Sequence, residues 1–211
     1  IFGELHVAPL LPALLDRHPE LHVRLALSDR FVDLVDEGFD LALRVGRLAD
    51  SSLAARRLGR VPAVVCASPA YLRRRGVPRA PADLAAHECL RYSLAGAGRE
   101  WRLRGPDGKE RAFAAGGRCA IDHGGAMREA AIAGAGLAQL PLFLVAEALR
   151  AGLLRSVLDA FRPADFGIYA VYPAGRAPAP KVRAAVDFFA AALPPRLQWP
   201  TCSEPSGRAE A

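Results

Sequence analysis

The sequence predicts an α/β fold, and three observations carry that prediction. Apolar residues recur at every second position in some stretches and at every third or fourth in others, and the two kinds alternate along most of the chain. No segment repeats at a fixed period. The strongest hairpin signal, Gly105-Pro106-Asp107-Gly108, falls between breaks near Ala67-Ser68 and Phe166-Gly167. Two lobes, crossed twice by the chain and leaving a cleft between them, are therefore expected.

Val7, Leu10, Leu11, Leu14 and Leu15 share one helical face that ends near His18-Pro19, with Pro9 and Pro12 awkward inside it. His22 to Ser28 alternates as a strand. Ser28 or Asp29 caps a short helix, Phe31 to Glu37, stopped by Gly38, and a second strand runs from Phe39 to Gly46. A strand–helix–strand order with short links implies mostly parallel pairing. Leu53 to Gly59 reads as irregular or edge, and Arg60 to Ala67 as a strand. Ser68-Pro69 opens a helix that Gly76 stops, and a helical turn follows at Ala82 to His87.

Cys89 to Ser93 reads as a strand. Glu100 to Arg104 and Arg111 to Ala115 are the arms of the hairpin. Strands are expected at Arg118–Asp122, Leu137–Leu140, Leu153–Leu158 and Phe166–Pro173, with helices at Gly124–Ala133 and Leu142–Ala151. Pro180 opens a last helix whose stripe is Val182, Ala185, Val186, Phe189 and Leu193. The tail after Pro194-Pro195 is polar and unpatterned, so 194–211 is expected to be flexible and mobile from about residue 198 on.

Composition narrows the function. The 211 residues are 52 % hydrophobic and 24 % charged, which excludes wholesale disorder. Net charge is +6, and of 28 basic residues only Lys109 and Lys181 are lysines. The arginines are scattered and often neighbour acids, as in Asp29-Arg30 and Arg128-Glu129, so they read as solvated surface rather than a nucleic-acid face. Cys66, Cys89, Cys119 and Cys202 have no metal-ligand spacing, and the first three lie in apolar stretches as buried thiols, which fits a reducing cytoplasm. Ala130 to Ala146 is apolar except for Gln139, but it is shorter than the ~20 residues a membrane span needs and is broken by Gly134, Gly136 and Pro141. The chain opens at Ile1-Phe2-Gly3, without a signal peptide or initiator Met, and reads as a fragment or processed product.

Catalytic signatures are lacking. There is no Gly-x-Ser-x-Gly, Walker loop or His-Glu-x-x-His, and Gly134-Ala135-Gly136 lacks the third glycine of a dinucleotide loop. No cofactor is expected. Ligands of α/β units bind beyond the carboxyl ends of strands. That rule selects Ser28-Asp29, then Arg44-Val45-Gly46, then the loop Asp122-His123-Gly124-Gly125, with Pro141 after a further strand. The 122–125 loop leads into a helix N-terminus, whose N–H groups and positive dipole end suit a carboxylate. Asp122 is either a helix cap or a ligand contact. His123 contacts a ligand, faces solvent or packs. Arg44 meets an anionic ligand or pairs with an acid such as Asp40.

Particular stretches then stand out. Leu34-Val35-Asp36-Glu37-Gly38-Phe39-Asp40-Leu41-Ala42-Leu43-Arg44-Val45-Gly46, followed by Asp50-Ser51-Ser52-Leu53-Ala54-Ala55-Arg56-Arg57-Leu58, resembles the effector-binding domain of LysR-type transcriptional regulators. Ala67-Ser68-Pro69-Ala70-Tyr71-Leu72, Ala133-Gly134-Ala135-Gly136-Leu137-Ala138-Gln139-Leu140-Pro141, Tyr172-Pro173 and Pro180-Lys181-Val182-Arg183 match in the same order. The set covers roughly residues 2 to 193. The resemblance implies a type II periplasmic-binding-protein-like fold of two lobes, each a mixed, mostly parallel sheet flanked by helices. Lobe I would be 1–67 plus 168–193, and lobe II 68–167.

The resemblance also implies a small, anionic effector in the cleft and a homodimer, tetrameric in the longer regulator. DNA would be bound only through an N-terminal winged helix-turn-helix that this chain lacks, along with the first strand of lobe I. Asp122-His123 departs from what many relatives carry there. The rival readings are a transporter's solute-binding protein of the same fold, and an enzyme on the same scaffold.

Overall fold

A computed structural model describes residues 1–30, 32–46, 53–94, 100–174, 178–197 and 199. The chain opens in one helical segment: a π turn (Gly3–Val7), a 3-10 turn (Ala8–Leu10) and α1 (Leu11–Arg17). The expected helix is present but begins earlier. Pro9 and Pro12 occupy second positions of the 3-10 turn and of α1, where a missing N–H costs no helical bond, so the winding changes at the prolines instead of breaking.

The strand expected over His22–Ser28 does not form. Val23, Leu25 and Leu27 are 43, 41 and 51 % exposed, and no described strand pairs with them. Alternation marks which face a strand would bury, but a strand also needs a hydrogen-bonding neighbour. β1 (Ala42–Gly46) and this segment both line one cavity and do not pair. The short helix expected at Phe31–Glu37 begins on a residue outside the described set and is replaced by a turn over Leu34–Gly38. Asp33 Oδ1 accepts from the Val35 and Asp36 amides at 2.9 and 3.1 Å, an alternative to helical bonding that aspartate readily takes.

Three three-stranded sheets and one two-stranded sheet organise the described residues. In the first, β11 (Phe166–Pro173) lies between β1 and β2 (Leu53–Val61). β2 covers the stretch expected to be irregular. Its sequence hides the strand because it is an edge whose Arg56, Arg57 and Arg60 face solvent, with a bulge opposite Ile168/Tyr169. The described part of the Asp50–Leu58 resemblance begins at Leu53, and residues 47–52 lie outside the described set.

In the second sheet, β3 (Ala63–Ala67) lies between β8 (Ala138–Pro141) and β9 (Arg155–Val157). The single strand expected at Arg60–Ala67 is thus two, split at Pro62. β3, which its position would place in the first lobe, pairs wholly with the second group. A hairpin of β5 (Glu100–Arg104) and β6 (Glu110–Ala114) forms as expected and takes β10 (Arg162–Pro163) on its other edge. β4 (Arg91–Tyr92) pairs with β7 (Ala120–Ile121).

The α/β class stands, but the expected pairing direction is corrected. Among the described strands only β4–β7 is a parallel pair, and the other six pairings are antiparallel. The reason is topological. The parallel partner expected for β1 was the 22–28 segment, which is unpaired, and β11 returns against both β1 and β2.

Helices cover the sheets. α5 (Pro180–Ala192) packs Val182, Val186, Phe188 and Phe189 into a core with Leu14, Leu58 and Ile168. α3 (Gly124–Ile132) and α4 (Leu142–Arg150) enclose Met127, Leu140, Leu142 and Val145, a core on which Ile1, Val45 and Phe166 also rest. α2 (Pro69–Arg75), capped by Ser68 Oγ, buries Tyr71 and Leu72 against Val65, Leu84 and Trp101.

Two further expectations are corrected. The flexible tail does not begin at 194: Pro194–Arg196 forms a 3-10 turn, Leu197 is buried, and Trp199 Nε1 donates to the Arg60 carbonyl at 2.9 Å. The remainder of the expected mobile tail lies outside the described residues. Cys66 and Cys89 are buried, with thiols pushed up to about 12, by desolvation at Cys66 and by desolvation and then Glu88 at Cys89. Cys119, expected to be buried, is exposed. Among the described residues no helix is long and apolar enough to cross a membrane.

Candidate functional site

A cavity of about 1230 Å³ runs from beneath the 21–41 segment to the N-terminal end of α3. One wall comes from the first sheet and its helices, the other from β8 and the start of α3 and α4. Of the residues singled out from sequence, Ser28, Asp29, Arg44, Val45, Gly124 and Pro141 line it.

Four of them are held by specific hydrogen bonds. Ser28 Oγ accepts from the Arg30 amide at 3.1 Å, which tightens the turn carrying Asp29. Arg44, on β1 opposite Tyr169, donates to the Val32 carbonyl at 2.8 Å. It does not take Asp40, whose carboxylate receives Lys181 Nζ at 2.7 Å. Asp29 reaches across the cavity: its Oδ2 accepts from the Gly124 amide at 2.8 Å.

The structure does not bring the remaining candidates into the cavity wall. Gly46 ends β1 opposite Gly167, Gly125 is buried against Ile1 and His123, and Asp122 and His123 are exposed and lie outside the lining. The cap of α3 is also corrected. His123, not Asp122, is the N-cap, with Nδ1 accepting from the Ala126 amide at 3.2 Å. A β-region residue one position before the helix points its ring back over the third amide, and Asp122 lies one residue too early to do so.

Other residues of the wall gave little sign of themselves in the sequence. Tyr92, half-buried, lines the cavity, and its hydroxyl is pushed well above the usual tyrosine range by burial and then by the Asp29 charge. The Gln139 side-chain oxygen is buried without a hydrogen-bond partner among the described residues, and Gln139 lines the cavity. An unsatisfied buried acceptor costs about 1–3 kcal/mol, so it offers a ready contact for a ligand donor. Its only sequence signal was polarity inside the apolar run 130–146. Tyr92 had none, because its role depends on Asp29 arriving from the other side.

The chain compares closely with known proteins. The family described as LysR substrate binding domain matches residues 1–194. An uncharacterized HTH-type transcriptional regulator of Haemophilus influenzae is 36 % identical over 82 % of this chain and 59 % of its own length. The HTH-type transcriptional activator AaeR of Escherichia coli is 36 % identical over 79 % of this chain and 53 % of its own. This chain thus spans little more than half the length of these relatives.

Among solved structures, the regulatory domain of CrgA, a LysR-type transcriptional regulator from Neisseria meningitidis, superposes with a TM-score of 0.73 at 30 % identity. The match covers 90 % of this chain and 94 % of that one. The full-length Vibrio cholerae virulence activator AphB gives 0.71 at 28 % identity, over 90 % and 65 %. With a periplasmic-binding-protein-like type II fold and a family match over residues 1–194, the chain belongs to the LysR substrate-binding-domain family.

Proposed function

We propose that this chain binds a small, anionic effector in the cavity between its lobes, without chemically transforming it, and so controls DNA binding by another part of a longer regulator. The lobes in this reading are those expected from the sequence, 1–67 plus 168–193 and 68–167, except that β3 goes with the second, where it pairs with β8 and β9. The observation that carries the reading is a single cavity to which both lobes contribute polar groups: Arg44 from one, Gly124 and the unsatisfied Gln139 from the other. The family match and relatives that are transcriptional regulators support it. A guest touching both walls favours one lobe angle, and it shifts the population only by its difference in affinity for the two angles. In the regulator that angle passes through a homodimer, and a tetramer of the longer chain, to DNA in the cytoplasm.

A thermal-shift panel of small carboxylates, amino acids and aromatic acids tests the proposal, since binding the native state raises its stability by mass action. At least one compound is expected to raise the melting temperature of the wild-type chain, and Arg44→Ala and Gln139→Ala are each expected to weaken that rise. Turnover of the compound, or a shift indifferent to both substitutions, overturns the reading.

A further inference from the structure

We propose that Asp29 is a built-in stand-in for the effector's anionic group, latching the lobes together until an anionic effector displaces it. The inference rests on the cavity reading above and adds a mode of regulation to it.

The helix end that would receive an anion is already occupied by one. Gly124 is the first residue of α3, a nine-residue helix with no acid in its own first turn. Its amide instead donates at 2.8 Å to a carboxylate 95 residues away in sequence, on the opposite wall of the cavity. A carboxylate favours this position because it meets an unpaired amide at the positive end of the helix dipole. Tyr92, also lining the cavity on the far side, is close enough for the Asp29 charge to raise its hydroxyl pKa. Asp29 is therefore held by a backbone amide of the other lobe.

Its own lobe presents it deliberately. The Ser28–Arg30 contact tightens the turn on which Asp29 stands, and Arg44 pins the chain at Val32 three residues on. Space at the contact is tight, since a Cβ on Gly124 would come within 2.9 Å of a Leu144 methyl and 3.7 Å of Asp29 Oδ2. A second carboxylate is strongly disfavoured at the Gly124 amide while Asp29 holds it, because two like charges in contact repel. Effector anion and Asp29 thus exclude each other, and binding of one releases the lobe contact made by the other.

The test uses the 211-residue chain with acetate as the probe, followed at the Gly124 amide by nuclear magnetic resonance. Asp29→Ala is expected to move the Gly124 resonance in the absence of any ligand. It should also tighten acetate binding at that amide by at least about tenfold, the order expected for a charged hydrogen bond removed from competition. Asp29→Asn, which keeps an acceptor but loses the charge, should tighten acetate while moving the resonance less, and it serves if the alanine variant is poorly folded. Equal acetate affinity in wild type and both variants, with Gly124 perturbed in each, overturns the stand-in and leaves the cavity reading intact. Acetate without effect on Gly124 in any of them overturns both.

Discussion

The Tyr71 hydroxyl lies 3.0 Å from His87 Nδ1 and 3.0 Å from the Glu88 amide. The amide donates to the hydroxyl oxygen, and the hydroxyl makes its second hydrogen bond with His87 Nδ1, in a direction set by the His87 tautomer. Tyr71 is 2 % exposed, so the phenol is a buried polar junction joining α2 to the turn that leads into β4. Tyr71→Phe removes both bonds and strands the Glu88 amide. Urea unfolding is expected to show a loss of about 1–3 kcal/mol, and an unchanged midpoint would show the junction to be idle.

Acid should destabilise the fold through two histidines. The His6 pKa is lowered by burial and then by Arg196, and the His6 Nε2, among rings of Phe2, Phe143 and Trp199, is buried without a hydrogen-bond partner among the described residues. The His87 pKa is lowered by burial, against the opposing pull of Asp83 and with a small push from Arg75. In both, the unfolded chain binds the proton more readily than the folded one. Their contribution is therefore fully present above pH ~6.5 and is lost as pH falls below it towards the folded values. The melting temperature should fall between pH 7 and pH 5, and His6→Phe should flatten part of that slope. A slope as steep in the variant as in wild type would remove His6 from the account.

Three glycines give a steric test. A Cβ on Gly117 would lie 2.1 Å from the Cys89 carbonyl oxygen, and one on Gly136 would lie 2.3 Å from that of Glu88. Both obstacles are backbone and cannot swing aside, so these glycines let two segments close on the 88–89 peptide from either side. Gly116 has nothing within 4 Å. Gly117→Ala and Gly136→Ala should each cost at least about 1–3 kcal/mol, several degrees of melting temperature, while Gly116→Ala stays near neutral. Equal melting points for the three variants would contradict the packing.

Arg44 serves the cavity wall and the chain behind it. Arg44→Ala removes the donor to the Val32 carbonyl and should loosen the 32–38 turn, seen as faster amide exchange at Val35 and Asp36, whose protection depends on Asp33. Unchanged exchange at both amides would mean the turn holds itself.

Much of this was legible in residue order, and the failures are instructive. The helix stripes of α1 and α5, the Ser68 cap, and the Gly105–Gly108 turn are local features, set by side-chain spacing and by the few residues that tolerate a given backbone angle. The 22–28 segment has a strand's alternation and is not a strand, because pairing needs a neighbour that no local pattern supplies. β2 lacks alternation and is a strand, because β11 offers it a hydrogen-bonding edge.

Within the candidate site, chemistry-bearing residue types at strand ends were readable one by one: Ser28, Asp29, Arg44, Gly124. Their meeting was not. The sequence alone determined an α/β chain with a carboxylate in one loop and a helix start in another. Only the tertiary structure decided that the carboxylate of Asp29 would cap the amide of Gly124 from across a cavity. The physical reason is that spacing and propensity act within a few residues. Contacts between distant segments are fixed by which strands pair and which faces bury together.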